Sequence, residues 1–426
     1  MAKVLVSFIG RGEEAYERDA PPTATGYKTA HYQFPGDTQP GEPTSFFGAA
    51  LLQYLQNTSG SVDCWLVLGT RGSSWATLAT VFGSEVPTEL EKLHHDINSW
   101  TQDSTITDEQ IEKWQNALQT QYNLLLPASP IQCIFRATGS AAERESQEDM
   151  WAALLDAIHM DDEVTLDITH AFRHMPVLAS FMLGALRWVR NLKKVDLYYG
   201  AYDMVEKGET VKVLHLPLVN ELMNVAEAAA TYEHTGNYGH ILDVLGFKGD
   251  AEAEAVVYAD ELNRNAVDEA TGLAERVKNI HDKPIAAALK PRVKEALRWV
   301  ASKGLARQMG HKSMRACSNG QYSNAIALLY EAIRVAGCDD SSTTVKQDGR
   351  KEHNERIDGW KKVFTSASDQ EKSILNDVEY LRNAVLHGLP GGSQKVERAL
   401  KEPTHFHNIM EKGYRLLDRY LTSRGK

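Results

Sequence analysis

Residues Lys3 to Gly10 read KVLVSFIG, a short apolar run closed by glycine. A strand buried on both faces by crossover helices has that composition, so the segment predicts a parallel strand and an α/β domain. Working outward, similar runs return at CWLVLG (Cys64 to Gly69), IQCIFRA (Ile131 to Ala137), EVTLDIT (Glu163 to Thr169), VDLYYGAY (Val195 to Tyr202) and VKVLHL (Val211 to Leu216). GYKTAHYQF (Gly26 to Phe34) alternates and reads as a hairpin or second strand. Helical patterns separate the runs. One starts near Thr44, a capping residue, with Phe46, Phe47, Ala50, Leu51 and Leu55 on one face; others cover Asp108 to Tyr122, Gln147 to His159 and His174 to Asn191. The alternation predicts a Rossmann-like, doubly wound parallel sheet over residues 1–218.

Pro217 marks a boundary, and beyond Leu218 only helical patterns follow, rich in Ala, Glu, Leu and Lys. Residues 219–300 read as a helical connecting region and 301–426 as an all-α domain. Its helices are expected near Tyr322 to Val335, Asn354 to Thr365, Asp369 to Leu386 and Lys395 to Leu421, with a loop from Asp339 to Gly349. The tract GLPGGS, Gly388 to Ser393, stops the third of these.

With 426 residues, 42% hydrophobic and 24% charged, the composition is that of an ordinary globular chain and excludes wholesale disorder. Cys64, Cys133, Cys317 and Cys338 are scattered without CxxC or zinc spacing, which fits a reducing cytoplasm. The start, MAKVLVSFIGRG, has no secretory pattern, and the most apolar helix candidate, Val177 to Val189, is too short to span a bilayer, so no membrane partner is expected. Net charge is −11, but residues 301–426 carry 21 Lys and Arg against 15 Asp and Glu, a net of +6, leaving −17 for the rest. The late domain is thus permitted a nucleic-acid substrate despite the acidic total.

Open parallel sheets bind ligands beyond the carboxyl ends of their strands. Three such ends carry suitable chemistry: Ser7, Gly10, Arg11 and Gly12; Gly69, Thr70, Arg71, Gly72, Ser73 and Ser74; and LDITHAFRHMP, where Asp167, Thr169, His170 and Arg173 surround a strand-to-helix junction. Small residues admit a phosphate to the backbone, hydroxyls donate to it and arginines offset its charge, so an anionic, nucleotide-like ligand is expected. Neither a P-loop nor a GxGxxG fingerprint is present, so nothing points to ATP or nicotinamide chemistry. His170 and His174, four apart, leave a second reading open: a metal-dependent phosphohydrolase centred on Asp167, His170 and His174.

Leu381 to Gly388 read LRNAVLHG and place Arg382, Asn383 and His387 within little more than one helical turn. An imidazole moves protons near neutral pH, a guanidinium grips phosphate and an amide orients either, a set suited to cleaving RNA without a metal. The reading set against it is a nucleotide-sensing regulatory protein in which this helix has no catalytic part.

Together LDITHAFRHMP and LRNAVLHG, in this order and on these two architectures, resemble the ancillary ribonucleases of type III CRISPR systems. These join an N-terminal CRISPR-associated Rossmann-fold (CARF) sensor to a C-terminal HEPN nuclease. QYSNAIALLYEAI, Gln321 to Ile333, is similar to a tyrosine- and alanine-bearing helix of HEPN domains. The resemblance implies a CARF-like parallel sheet followed by a HEPN-like helical domain. It further implies a homodimer, or higher even oligomer, binding cyclic oligoadenylate between paired sensors, with cyclic tetra-adenylate favoured and cyclic hexa-adenylate possible. Gly10, Arg11, Thr70, Arg71, Thr169, His170 and Arg173 would line that site. His170 and Phe172 stand where the more familiar sensor motif has small residues, a departure that bears on ring size and on any ring-cleaving activity. Arg382, Asn383 and His387 would cut single-stranded RNA without a cofactor, leaving 2′,3′-cyclic phosphate and 5′-hydroxyl ends and sparing DNA.

Overall fold

The computed structural model describes residues 1–11, 29–58, 60–82, 85–126, 130–205, 210–280, 284–338, 349–390 and 392–425. Gly12, the start of GYKTAHYQF and most of the loop expected after Asp339 lie outside these residues. The chain divides into two compact units, Met1–Glu221 and Leu222–Lys426.

The first unit is built on a seven-stranded sheet of order β2-β7-β6-β5-β1-β3-β4. Its strands are β1 (Lys3–Ile9), β2 (Tyr32–Gln33), β3 (Cys64–Gly69), β4 (Gln132–Ala137), β5 (Glu163–Asp167), β6 (Lys194–Gly200) and β7 (Val211–His215). The opening segment is the centre of the sheet: β1 pairs in parallel with β3 (Val4 opposite Cys64) and with β5 (Lys3 opposite Glu163). The period of two sorts its side chains. Leu5 and Ile9 enter one core with α1 (Phe47–Thr58), α2 (Glu91–Gln102) and α3 (Asp108–Leu125), while Val4, Val6 and Phe8 enter another with α4 (Arg144–Ala157) and α5 (His174–Val189). Helices therefore cover both faces, as a doubly wound sheet requires.

Several details differ from the sequence expectation. Among its described residues GYKTAHYQF forms strand at Tyr32–Gln33, and β7 runs antiparallel to β6, with Tyr198 opposite His215, so the sheet is mostly rather than wholly parallel. The helix expected at Thr44 begins at Phe47, because Thr44 is held in a bridge to Ala30 and its hydroxyl donates to the Val81 carbonyl.

The second unit is helical throughout its described residues. After α6 (Pro217–Thr235) come α7 (Gly239–Leu242), α8 (Ala251–Glu261), α9 (Val267–Lys278), α10 (Pro284–Ala287), α11 (Lys290–Ala296), α12 (Leu305–Ser318), α13 (Tyr322–Ala336), α14 (Gly349–Ser366), α15 (Asp369–His387), α16 (Gln394–Ala399) and α17 (Pro403–Ser423). One apolar cluster runs from Ala228 to Trp299 and another from Ala306 to Leu421. Lys395 to Leu421 is two helices rather than one, broken before Pro403, whose ring suits the first turn of α17. Gly337 and Gly359 let α13 and α14 touch backbone to backbone: a Cβ on Gly337 would fall 1.9 Å from the Gly359 carbonyl oxygen.

Candidate functional site

Strands β1 and β5 leave the middle of the sheet in opposite chain directions of winding, and at their carboxyl ends opens a cavity of about 710 Å3. Gly10, Arg11, Thr70, Arg71, Thr169 and His170 all line it. Ser7, Gly69 and Asp167 do not: they are buried strand residues beneath it, and Arg173 stands exposed outside it at the start of α5. No carboxylate lines the cavity among the described residues, although this part of the chain is strongly acidic. Among the described lining residues the two guanidiniums are the only groups of fixed charge, which favours an anion.

The loops are tied to one another by Ser73. Its hydroxyl donates to the Ile9 carbonyl at 2.8 Å and accepts from the Thr70 backbone N–H at 2.8 Å, joining the ends of β1 and β3. Arg11 Nε donates to the Gly72 carbonyl and its Nη2 to Ser104, both at 3.0 Å. Arg71 donates to the Ile106 carbonyl and pairs with Asp108 at 3.3 Å. Both arginines thus have fixed positions before any ligand arrives, at the cost of some of their donors.

At the end of β5, Asp167 is fully buried and accepts from the Thr169 N–H at 2.8 Å. Burial pushes its carboxyl up to about 7, against hydrogen bonding from Thr169 and Ser7. The Thr169 hydroxyl accepts from the Gly200 N–H at 2.8 Å, anchoring the turn to β6. His170 lies against the Phe46 ring, centroids 5.4 Å apart, and its Nε2 accepts from the Phe47 N–H. Burial pushes this imidazole down to about 4, so it meets a ligand as a neutral ring. Ala171 follows at φ +78°, a left-handed conformation unusual for a residue with a Cβ, and stores strain at the cavity edge.

This geometry separates the three groups of the metal alternative. His170 Nε2 faces a backbone N–H, His174 Nε2 lies 2.6 Å from the Ser140 carbonyl oxygen, and Asp167 is beneath the floor. Among the described residues no cluster of three or more His, Cys, Asp or Glu side chains has the arrangement of a metal site. Tyr32, Ser104, Ser140, Tyr199 and Tyr202 also line the cavity and were not anticipated. The signal for two of them lies in VDLYYGAY, whose Tyr199 and Tyr202 flank the end of β6 as the other motifs flank the ends of β1, β3 and β5.

In the second unit, α15 starts with a capping box: Ser368 Oγ accepts from the Glu371 N–H while Glu371 Oε2 accepts from the Ser368 N–H. Leu375, Val378, Leu381 and Ala384 form its buried stripe, and Gly388 at φ +65° ends it. That stripe leaves Arg382 and Asn383 half-buried and His387 exposed. Arg382 Nη1 lies 2.9 Å from Asn383 Oδ1 and 2.9 Å from His387 Nε2. A guanidinium only donates, so His387 accepts at Nε2 and carries any neutral-state proton on Nδ1. The Tyr330 ring of α13 lies under Arg382, its centroid 5.1 Å from Cζ, and packs in turn on Trp360.

No protein-family model matches the chain. Over 248 residues, 56% of its length, it is 27% identical to a CRISPR-associated protein of Methanocaldococcus jannaschii. The match takes in 37% of that protein, so the chain spans little more than a third of its relative's length. A solved structure of Enterococcus italicus Csm6 bound to cyclic hexa-2′-fluoro-hexa-dAMP aligns over 99% of this chain and 95% of its own, with 9% identity and a TM-score of 0.36. At that score neither site nor ligand carries over. Among the described residues no helix is long and apolar enough to cross a membrane.

Proposed function

We propose that this chain is an ancillary ribonuclease of type III CRISPR defence, switched on by cyclic oligoadenylate and cutting single-stranded RNA without a metal. The observation that carries the reading is the joining of Arg382, Asn383 and His387 through one guanidinium nitrogen. The similarity to a CRISPR-associated protein supports the setting. The cavity's described lining, which holds Arg11 and Arg71 and no carboxylate, supports an anionic, phosphate-bearing activator.

RNA carries its own nucleophile, so alignment and charge stabilisation suffice. The 2′-oxygen attacks the adjacent phosphorus, the bond to the 5′-oxygen breaks, and that oxygen takes up a proton. His387 moves the protons, Arg382 offsets charge on the phosphorane, and Asn383 holds the guanidinium in register. The ends formed are 2′,3′-cyclic phosphate and 5′-hydroxyl, and DNA, lacking the 2′-oxygen, is spared.

A homodimer gives the ring a symmetric seat, each copy supplying one cavity. The partner face is α5, which exposes an apolar stripe of Val177, Phe181 and Trp188 next to the cavity edge at Phe172. Activation requires only that the ring bind the nuclease-competent dimer more tightly than the resting one, with residues 219–300 transmitting the difference.

The test is labelled RNA incubated with the purified protein and EDTA, across cyclic tri-, tetra- and hexa-adenylate. Stimulated cleavage by one ring, tetra-adenylate first, is expected. No cleavage with any ring, or cleavage abolished by EDTA, overturns the reading.

A further inference from the structure

The ribonuclease reading leaves unused a second cavity, of about 650 Å3, within the helical unit. It forms where α8, α12, the start of α13 and the turn before α7 meet. Unlike the crevice, it holds charges that cancel within the protein. Asp260, a buried carboxylate, takes Lys312 Nζ at 2.9 Å and Arg315 Nη2 at 2.6 Å. Lys312 Nζ also donates to the Arg264 carbonyl and sits 4.0 Å from the centre of the Trp299 ring, while Arg315 Nη1 donates to the Ala296 carbonyl. With Glu261 also on the wall, two carboxylates stand against the two cations, so a phosphate would find no net positive charge among the described lining residues.

Amides make up much of the remaining polar wall. Asn263 Nδ2 donates to Asn324 Oδ1 at 2.7 Å, Asn324 Nδ2 to Gln321 Oε1 at 3.4 Å, and Gln321 Nε2 to the Thr235 carbonyl. Each amide carries two N–H donors and two acceptor lone pairs, so this relay consumes only part of its capacity and leaves donors and acceptors side by side. Tyr238 lines the same cavity and is 1% exposed. Its hydroxyl has no hydrogen-bond partner among the described residues and lies within electrostatic reach of Asp260 and Arg315. A buried, unpartnered hydroxyl costs stability until a polar group reaches it. Val257 and Leu328 offer apolar surface to a flat ring.

We propose that this cavity binds an uncharged nucleobase, presented by a free nucleoside or by a base of single-stranded RNA, through the Asn263–Asn324–Gln321 amides and the Tyr238 hydroxyl. Side-chain amides pair with the adjacent donor and acceptor of a base edge, which a sugar or an anion does not reproduce.

The test is calorimetric titration of the full chain with adenosine, guanosine, cytidine and uridine, with ribose and inorganic phosphate alongside. Saturable binding of at least one nucleoside is expected, weakened about tenfold or more by Asn324→Leu, roughly the worth of one good hydrogen-bonded contact to a base. Tyr238→Phe, which removes a single oxygen, weakens the same binding and covers the case in which Asn324→Leu fails to fold. Competition by a short oligoribonucleotide assigns the base to RNA; its absence assigns a free nucleoside. The proposal falls if no nucleoside saturates below about 10 mM. It falls equally if ribose or phosphate binds as well, or if binding is indifferent to both variants and lost in Arg71→Ala, which would locate it in the crevice.

Discussion

The crevice of the first unit gathers its lining from the ends of β1, β3, β4, β5 and β6 together with Tyr32 of β2 and Ser104, whereas Arg382, Asn383 and His387 come from six consecutive residues of one helix. In the crevice three of the polar groups are held by other segments: Arg11 by Ser104, Arg71 by Asp108, Thr169 by Gly200. On α15 the helical period alone brings the three together, and they contact one another. Substitutions in the crevice should therefore have graded, shared effects, and those on α15 concentrated ones.

The largest effect is expected at His387. Removing a general acid or base costs about 10²–10⁴-fold in rate, so His387→Ala should lower RNA cleavage by that order. Affinity for cyclic tetra-adenylate should stay within about threefold, far below the tenfold that 1.4 kcal/mol represents. Cleavage rates and ligand titration on the same preparation check both. A variant that retains its cleavage rate would turn the comparison round, leaving the crevice as the molecule's working site and the chain as a nucleotide-sensing protein.

Next comes Asp167, which supports the crevice from below. Its folded pKa is raised, so its contribution to stability is complete below about pH 4 and is lost as pH rises through 7. His170 behaves oppositely: its folded pKa is depressed, so its contribution is complete above about 6.5 and lost as pH falls through 4. The two trends offset each other in the natural chain. Asp167→Asn removes only the first, and should gain about 2–3 kcal/mol on the natural protein between pH 5 and pH 8. Urea unfolding at the two pH values measures this, and an equal difference at both would show that burial does not hold the carboxyl neutral.

A smaller change is expected from Arg71→Ala. Hydrogen bonds to charged groups are worth about 1.5–3 kcal/mol, and Arg71 already shares its donors with Ile106 and Asp108, which places the loss at the low end, about tenfold in activator affinity. Cleavage at saturating activator should be unchanged. A loss of maximal rate instead would mean that the two sites are not separable in this way.

The contrast also explains what the sequence disclosed. The strands were legible because Val4, Leu5, Val6, Phe8 and Ile9 are buried without a polar interruption other than Ser7, whose hydroxyl accepts from Trp65. The motif on α15 was legible because its geometry is local. By contrast, α12 was missed because the face it buries carries Gln308, Lys312 and Ser313, which hide the apolar period until Asp260 and Trp299 supply their partners. Glu91–Gln102 was missed for a related reason, since only Ile97 and Thr101 of that helix are buried. Tyr32 reaches the crevice through the pairing of β2 with β7, a join between residues nearly 180 positions apart that no local pattern records. The helical pattern around Tyr330 is local, but its place under Arg382 depends on how α13 packs on α15.

The smallest effect expected concerns the helix that carries the motif. Ser368 caps α15 three turns and more from Arg382, and loss of such a cap costs about 1 kcal/mol. Fraying is confined to the first turn because Leu375 and Val378 are already anchored in the core one to two turns further on. Ser368→Ala should therefore lower the stability of the helical unit by about that amount while leaving RNA cleavage within twofold, a change in activation free energy well under 1.4 kcal/mol. Parallel urea unfolding and cleavage assays separate the two quantities. If cleavage fell tenfold with so small a loss of stability, the three side chains would depend on the whole helix and not on their own turn, and the locality that distinguishes this site from the crevice would be lost.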